Sequence, residues 1–148
     1  MDILRSARTP LAVGVLGLVF AAISPASAGE PPACDWARAN ALNAQGDRYR
    51  AHEQFVWAAR SYLDASRSVA DCRTEGGLML SARSLAQGGT AVAQSGDLFN
   101  GRQILESAQS RLQTIFSLDG QTSAAAHAYS DLVQDVISAI DRIAQLYM

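Results

Sequence analysis

Apolar positions recur along this chain at alternating steps of three and four, the spacing that lines up one face of an α-helix. Ala39, Leu42, Gly46 and Tyr49 form one such run, and Phe55, Ala58, Tyr62, Ala65 and Val69 form the next. A third, Leu78, Ala82, Leu85, Gly89, Val92, Gly96 and Phe99, keeps the rhythm through Gly88-Gly89 and predicts one long helix across both glycines. After a turn at Asn100-Gly101, Leu105, Ala108, Leu112 and Ile115 carry a fourth helix from about Gln103 to Leu118, ended by Asp119-Gly120. The last helix begins after Thr122 or Ser123 with Tyr129, Val133, Val136, Ile140, Ile143 and Tyr147 inward, and Leu132, Ile137 and Ala144 widen its stripe. The fold class expected is all-α: antiparallel helical hairpins of about five helices, in a repeat-like array or a bundle with a C-terminal capping helix.

Two cysteines fix where the first pair of helices folds back. His52-Glu53-Gln54 lies midway between Cys34 and Cys72, so a turn there brings the two thiols level and predicts a disulfide. Gly46-Asp47 is the stronger local turn signal. A reversal there would leave Cys72 far past Cys34, and cysteines with Cα atoms more than ~7 Å apart cannot bridge without backbone movement. The cysteines therefore keep Gly46 inside the first helix, which Asp35 is placed to cap. The expected organisation is a first hairpin over 34–72, a break at Arg73 to Gly77 where Gly76-Gly77 lets the chain reverse, a second hairpin over 78–118, and a C-terminal helix over 122–147.

The second hairpin echoes the first. Ala41, Leu42, Gly46, Asp47, Tyr49, Phe55, Ala58 and Tyr62 match Ala91, Val92, Gly96, Asp97, Phe99, Leu105, Ala108 and Leu112 at a spacing of fifty. The order Gly46, Tyr49, Ala58, Tyr62, Ala65, with Gly96, Phe99, Ala108, Leu112 and Ile115 as a second copy, resembles the tetratricopeptide repeat. So does the ending Leu118-Asp119-Gly120. The spacing departs from that family's repeat of about thirty-four, and no proline closes either copy. The resemblance implies that the inner face of each pair's first helix holds an extended peptide. On that face stand Asn40, Asn43, Asp47 and Arg50, then Thr90, Asp97 and Asn100. Asn offers a backbone both donor and acceptor, and Arg50 suits a carboxylate.

The N-terminal segment changes the setting. Arg5 and Arg8 precede an apolar run from Leu11 to Ile23 and an Ala26-Ser27-Ala28 cleavage site, the pattern of an export signal over residues 1–28. Cleavage leaves a single helical domain over 29–148, enough for one modest core. A lipid-modified Cys34 is rejected, because Pro31-Pro32-Ala33 does not resemble a lipobox. In an exported chain two cysteines point to a structural disulfide, and the localisation expected is periplasmic or secreted. All 12 basic residues are Arg, and the formal charge of the whole chain is −2. The arginines are spread among acids, so nothing suggests a nucleic-acid surface. Asp131, Asp135, Asp141 and Arg142 argue against a membrane span in the last helix.

No catalytic constellation emerges. His52-Glu53 opens like a zinc-protease helix, but Val56 stands where the second His is required. His127 has no acid or cysteine near it in sequence, and the chain lacks a phosphate-binding loop with Lys and a nucleophile elbow. Asp131 and Asp135 share a helix face and read as a solvated acidic stripe. No metal, cofactor or catalytic residue is assigned. Tyr49 and Tyr62 read as core, and Trp57 falls off the stripe, either covered by another helix or part of an exposed contact patch.

The leading expectation is an exported, non-catalytic helical protein that binds a protein or peptide partner in the cell envelope. One alternative is a small-molecule-binding or enzymatic bundle with a site between helices. Another is a structural homodimer through the last helix.

Overall fold

The computed structural model describes residues 34–118 and 124–148, and the export-signal reading of residues 1–28 lies outside them. Five α-helices follow one another: α1 Trp36–Ala51, α2 Phe55–Ser68, α3 Glu75–Gln94, α4 Leu98–Leu118 and α5 Ala124–Leu146. No strand occurs among the described residues. The all-α hairpin class is thus the one that the three-four spacing predicts.

The first hairpin folds as the cysteines require. Asp35 caps α1, its Oδ1 accepting from the Arg38 amide at 3.0 Å, and the Asp35 amide donates to the Ser68 carbonyl at the far end of α2. Cys34 and Cys72 are disulfide-bonded with Cα atoms 4.9 Å apart. Closing a loop of 38 residues contributes on the order of 4 kcal/mol in the chain-entropy description. The turn at Gly46-Asp47 is excluded, since Gly46 lies buried inside α1. A β-carbon there would stand 2.6 Å from the Tyr62 ring, so the glycine lets a fully buried tyrosine lie directly on the α1 backbone.

Both hairpin turns use one device. At the first, the Gln54 amide donates to the Tyr49 carbonyl and the Glu53 amide to that of Arg50; at the second, the Asp97 amide donates to Val92 and the Gly96 amide to Ala93. This is the Schellman pairing, which needs a residue of positive φ just past the helix. Glu53 (φ 56°) and Gly96 (φ 106°) supply it.

The second turn therefore corrects the sequence reading. Helix α3 stops at Gln94, the reversal lies at Ser95–Asp97, and Asn100-Gly101 sits in the first turn of α4, which begins at Leu98 rather than near Gln103. Asp97 is satisfied as an α4 cap, accepting from the Asn100 amide at 3.1 Å. Phe99, expected inward, is 71% exposed. Gly76-Gly77 likewise belongs to the first turn of α3, where the Thr74 hydroxyl accepts from the Gly77 amide at 3.1 Å. A side chain at Gly77 would collide with Cys72 Cβ.

With the turns superposed, the internal correspondence has a period of 43, not fifty. Ala39, Leu42, Gly46, Tyr49, Ala58, Tyr62, Ala65, Val69 and Cys72 map onto Ala82, Leu85, Gly89, Val92, Gly101, Leu105, Ala108, Leu112 and Ile115, and each pair shares its degree of burial. Gly89 repeats the role of Gly46: its β-carbon would stand 2.9 Å from Leu105 Cγ, the counterpart of Tyr62. Gly96 is instead the counterpart of Glu53 at the turn.

The helices pack in chain order. Each rests mainly on its neighbours, and contacts between next-but-one helices are confined to α1–α3 and α3–α5. The odd-numbered helices thus share one side of the array. Helix α3 is covered on two sides, which explains its adjacent glycines: a β-carbon at Gly88 would meet Leu63 of α2 at 2.9 Å, and one at Gly89 would meet the Gly101 carbonyl of α4 at 2.9 Å. The largest apolar cluster joins Leu78 and Ala82 of α3, Leu105, Ala108, Leu112 and Ile115 of α4, and Val133, Ile137 and Ile140 of α5.

Helix α5 is turned from the expected orientation. Its buried face is Ala126, Val133, Ile137 and Ile140, so Ile137, read as a widening residue, is core. Ile143 and Tyr147, read as core, are 43% and 84% exposed. Two side-chain links to α4 accompany this orientation, Arg102 Nε donating to Asp141 at 2.8 Å and Gln109 Nε2 donating to Gln134 Oε1 at 3.0 Å.

Candidate interaction groove

The polar residues of α1 divide by what they touch. Asn43 Nδ2 donates to Ser84 Oγ at 2.9 Å, and that hydroxyl donates back to Asn43 Oδ1 at 3.1 Å. Asn43 thereby ties α1 to α3, with its amide committed inside the fold. Asp47 accepts from the Tyr62 hydroxyl at 2.6 Å. Burial first, and this carboxylate second, push the Tyr62 phenol well above its ordinary range. Asn40 and Arg50 are exposed, with the Arg50 guanidinium near enough to the Tyr62 phenol to oppose that rise.

Asp97 and Asn100 are engaged with each other at the α3–α4 turn, the Asn100 side-chain amide donating to Asp97 Oδ2 at 2.6 Å. The two bonds from Asn100, side chain before backbone, hold the Asp97 carboxyl below its ordinary range. Asn40 stands near the start of α1, whereas Asp97 and Asn100 lie past the end of α3, which runs parallel to α1. The structure therefore places these residues at opposite ends of the inner layer.

What the inner side does form is a groove between α3 and α5. One cavity, about 270 Å³, is bounded by Arg50, Gln87, Thr90, Tyr129, Leu132 and Val136, among others. A second, about 230 Å³, continues from the shared residues Thr90 and Val136 to Ala93, Leu98, Ala139 and Ile143. Helix α3 supplies Gln87, Thr90 and Gln94 among alanines, and α5 an apolar wall. Arg50 stands at one end, and the Arg83 guanidinium lies 5.5 Å from the centre of the Tyr129 ring, a cation–π distance that links the two walls.

The apolar wall is a second stripe on α5. Leu132, Val136, Ala139, Ile143 and Leu146 follow steps of four, three, four and three, beside but distinct from the buried stripe. Leu132 is 56% exposed. The signal was in the sequence, as the unusual width of the last helix, but spacing alone does not say which of two adjoining stripes meets the core.

Elsewhere, a cleft of about 430 Å³ between α2 and α3 is lined by Val56, Arg60, Leu63, Asp64, Arg67 and Val92, among others, and Arg67 there is paired with Asp64 at 2.6 Å. Trp57 is 53% exposed with its ring 6.3 Å from that of Tyr49. His127 stacks on Phe116 at 4.2 Å between ring centres, and His52 is exposed at the end of α1. Among the described residues no three His, Cys, Asp or Glu side chains converge as metal ligands, and no helix is long and apolar enough to cross a membrane.

The chain matches no family model, and neither a similar curated protein nor a similar solved structure was found.

Proposed function

We propose that this chain is an exported, non-catalytic helical interaction protein that holds a protein or peptide partner in the groove between α3 and α5. The observation that carries the reading is the second apolar stripe of α5, which leaves Leu132, Ile143 and Leu146 exposed, while Val136 also packs on the core, and which lines the groove with Leu132, Val136, Ala139 and Ile143. Exposed apolar surface that is contiguous and rimmed by polar groups marks interaction sites. The ordering of α1, α3 and α5 on one side supports the same mode, since stacked helical hairpins bind partners along the face that their first helices share. A disulfide between Cys34 and Cys72 fits an oxidising compartment outside the cytoplasm, in agreement with the export signal read from residues 1–28.

The roles within the groove follow from its chemistry. Leu132, Val136 and Ile143 take up apolar side chains, Gln87 and Thr90 offer hydrogen bonds, and Arg50 receives an anionic group at the end. Asn43, Asp47, Asp97 and Asn100 support the scaffold through the bonds described above. A photo-crosslinking amino acid at Thr90 or Val136, in cells that export the protein, is expected to give a discrete protein adduct. The same probe at Gln113, exposed on α4, is expected to give none. Absence of adducts from the groove, or equal adducts from all three positions, contradicts the assignment.

A further inference from the structure

Resting on that reading of the groove, we propose that its occupant is helix α5 of a second copy of this chain, laid antiparallel on the first. Taken as a coiled-coil seam, the exposed stripe puts Val136 and Ile143 at one type of core position and Leu132, Ala139 and Leu146 at the other. On one flank lie Val133 and Ile140, buried within the same subunit. On the other flank lie Asp135 and Arg142, one acidic and one basic, seven residues apart.

An antiparallel two-fold pairing that sets Leu132 against Ile143 of the copy, and Val136 against its Ala139, also sets Asp135 against its Arg142. The two-fold axis repeats the contact, so two opposite-charge pairs flank a four-layer apolar seam. A parallel pairing in register would instead set each layer against its own kind and leave the open flank of each helix, Asp135 and Arg142, facing the buried flank of the other. Ala139 at the middle of the seam lets the two backbones approach. The α3 wall, with Gln87, Thr90 and Gln94, then borders the incoming helix. Isologous contacts of this kind need one self-complementary patch, and this stripe with its flank is one.

The test is sedimentation equilibrium of the oxidised, exported protein over a range of micromolar concentrations. Wild type is expected to dimerise. Asp135→Arg and Arg142→Asp each replace two attractive contacts with two repulsive ones and are expected to weaken the dimer on the order of tenfold to a hundredfold. An equimolar mixture of the two variants restores both attractive contacts, so a heterodimer of wild-type strength is expected, as is a homodimer of the double variant D135R/R142D. That double variant also shows that both substitutions are compatible with folding, as does retained helical circular dichroism in each single one.

A wild type that stays monomeric, a dimer indifferent to both reversals, or single variants that fail to recover on mixing would each overturn the proposal. The groove reading has its own readout. Adducts at Thr90 and Val136 whose mass equals this chain plus a different protein would sustain the groove and reject the second copy. Adducts of twice the chain's mass would sustain both.

Discussion

Tyr62 shows how a single side chain can bind three parts of the protein. Its ring fills the space left by Gly46 in α1, its Cβ lies beside Gly88 of α3, and its hydroxyl donates to Asp47. Burying such a ring is worth roughly 1.5–3 kcal/mol, and a hydrogen bond to a carboxylate about as much. Because folding raises the phenol's pKa above its value in the unfolded chain, the neutral form is favoured in the folded state. That stabilisation is present in full below about pH 10, the ordinary tyrosine value, and is lost as pH rises towards the folded-state value. Urea unfolding between neutral pH and about pH 11 should therefore show stability falling at the alkaline end, and Tyr62→Phe should flatten that fall while costing about 1.5–3 kcal/mol at neutral pH. Tyr129, whose phenol is also raised by burial against the opposing charge of Arg83, leaves a residual slope. Equal slopes in the two proteins would mean that ionisation of the Tyr62 phenol is not what lowers stability at high pH.

At the scale of the helices, the period of the array depends on a choice between glycines. Gly89 and Gly101 face each other where α3 crosses α4, and a β-carbon at Gly101 would stand 2.8 Å from Ala93 Cβ and 2.8 Å from the Gly89 carbonyl. Gly101→Ala should accordingly lower stability by about 1–3 kcal/mol through overpacking, against the ~1 kcal/mol that alanine gains by helix propensity. A stabilised Gly101→Ala protein would show that the crossing is looser than described. The same crossing explains the misplaced turn. Asn100-Gly101 has the composition of a turn, but its glycine is used for close approach, whereas Gly96 is used for its backbone angle. Composition does not distinguish the two uses. The first hairpin was legible because the cysteines supplied a long-range distance, and no such marker exists for the second. Once the turns are known, Ala39, Leu42 and Gly46 stand beside Ala82, Leu85 and Gly89 as an obvious pair; beforehand, the fifty-residue match competes with it on equal terms. The rotation of α5 was beyond the sequence for a related reason: its apolar residues form two adjoining stripes, and spacing alone does not say which of them meets α3 and α4.

At the scale of the molecule, two hairpins and a last helix among the described residues make an array with one end closed by a disulfide and a continuous apolar stripe exposed along α5. Of the candidate residues drawn from α1 and the second turn, Asn43 is bonded to Ser84 across two helices, Asp47 accepts from Tyr62, Asp97 and Asn100 bond each other, and Asn40 and Arg50 are exposed. The continuous apolar stripe lies on α5, and the proposed function requires it to be covered when the protein is at work. Hydroxyl-radical labelling of the protein in intact cells, compared with the purified protein at high dilution, measures this directly. Leu132 and Ile143 are expected to label less in cells, while Val56 and Phe99, also apolar and exposed on other parts of the surface, label alike in both settings. All four residues labelling alike in both would contradict the proposed function.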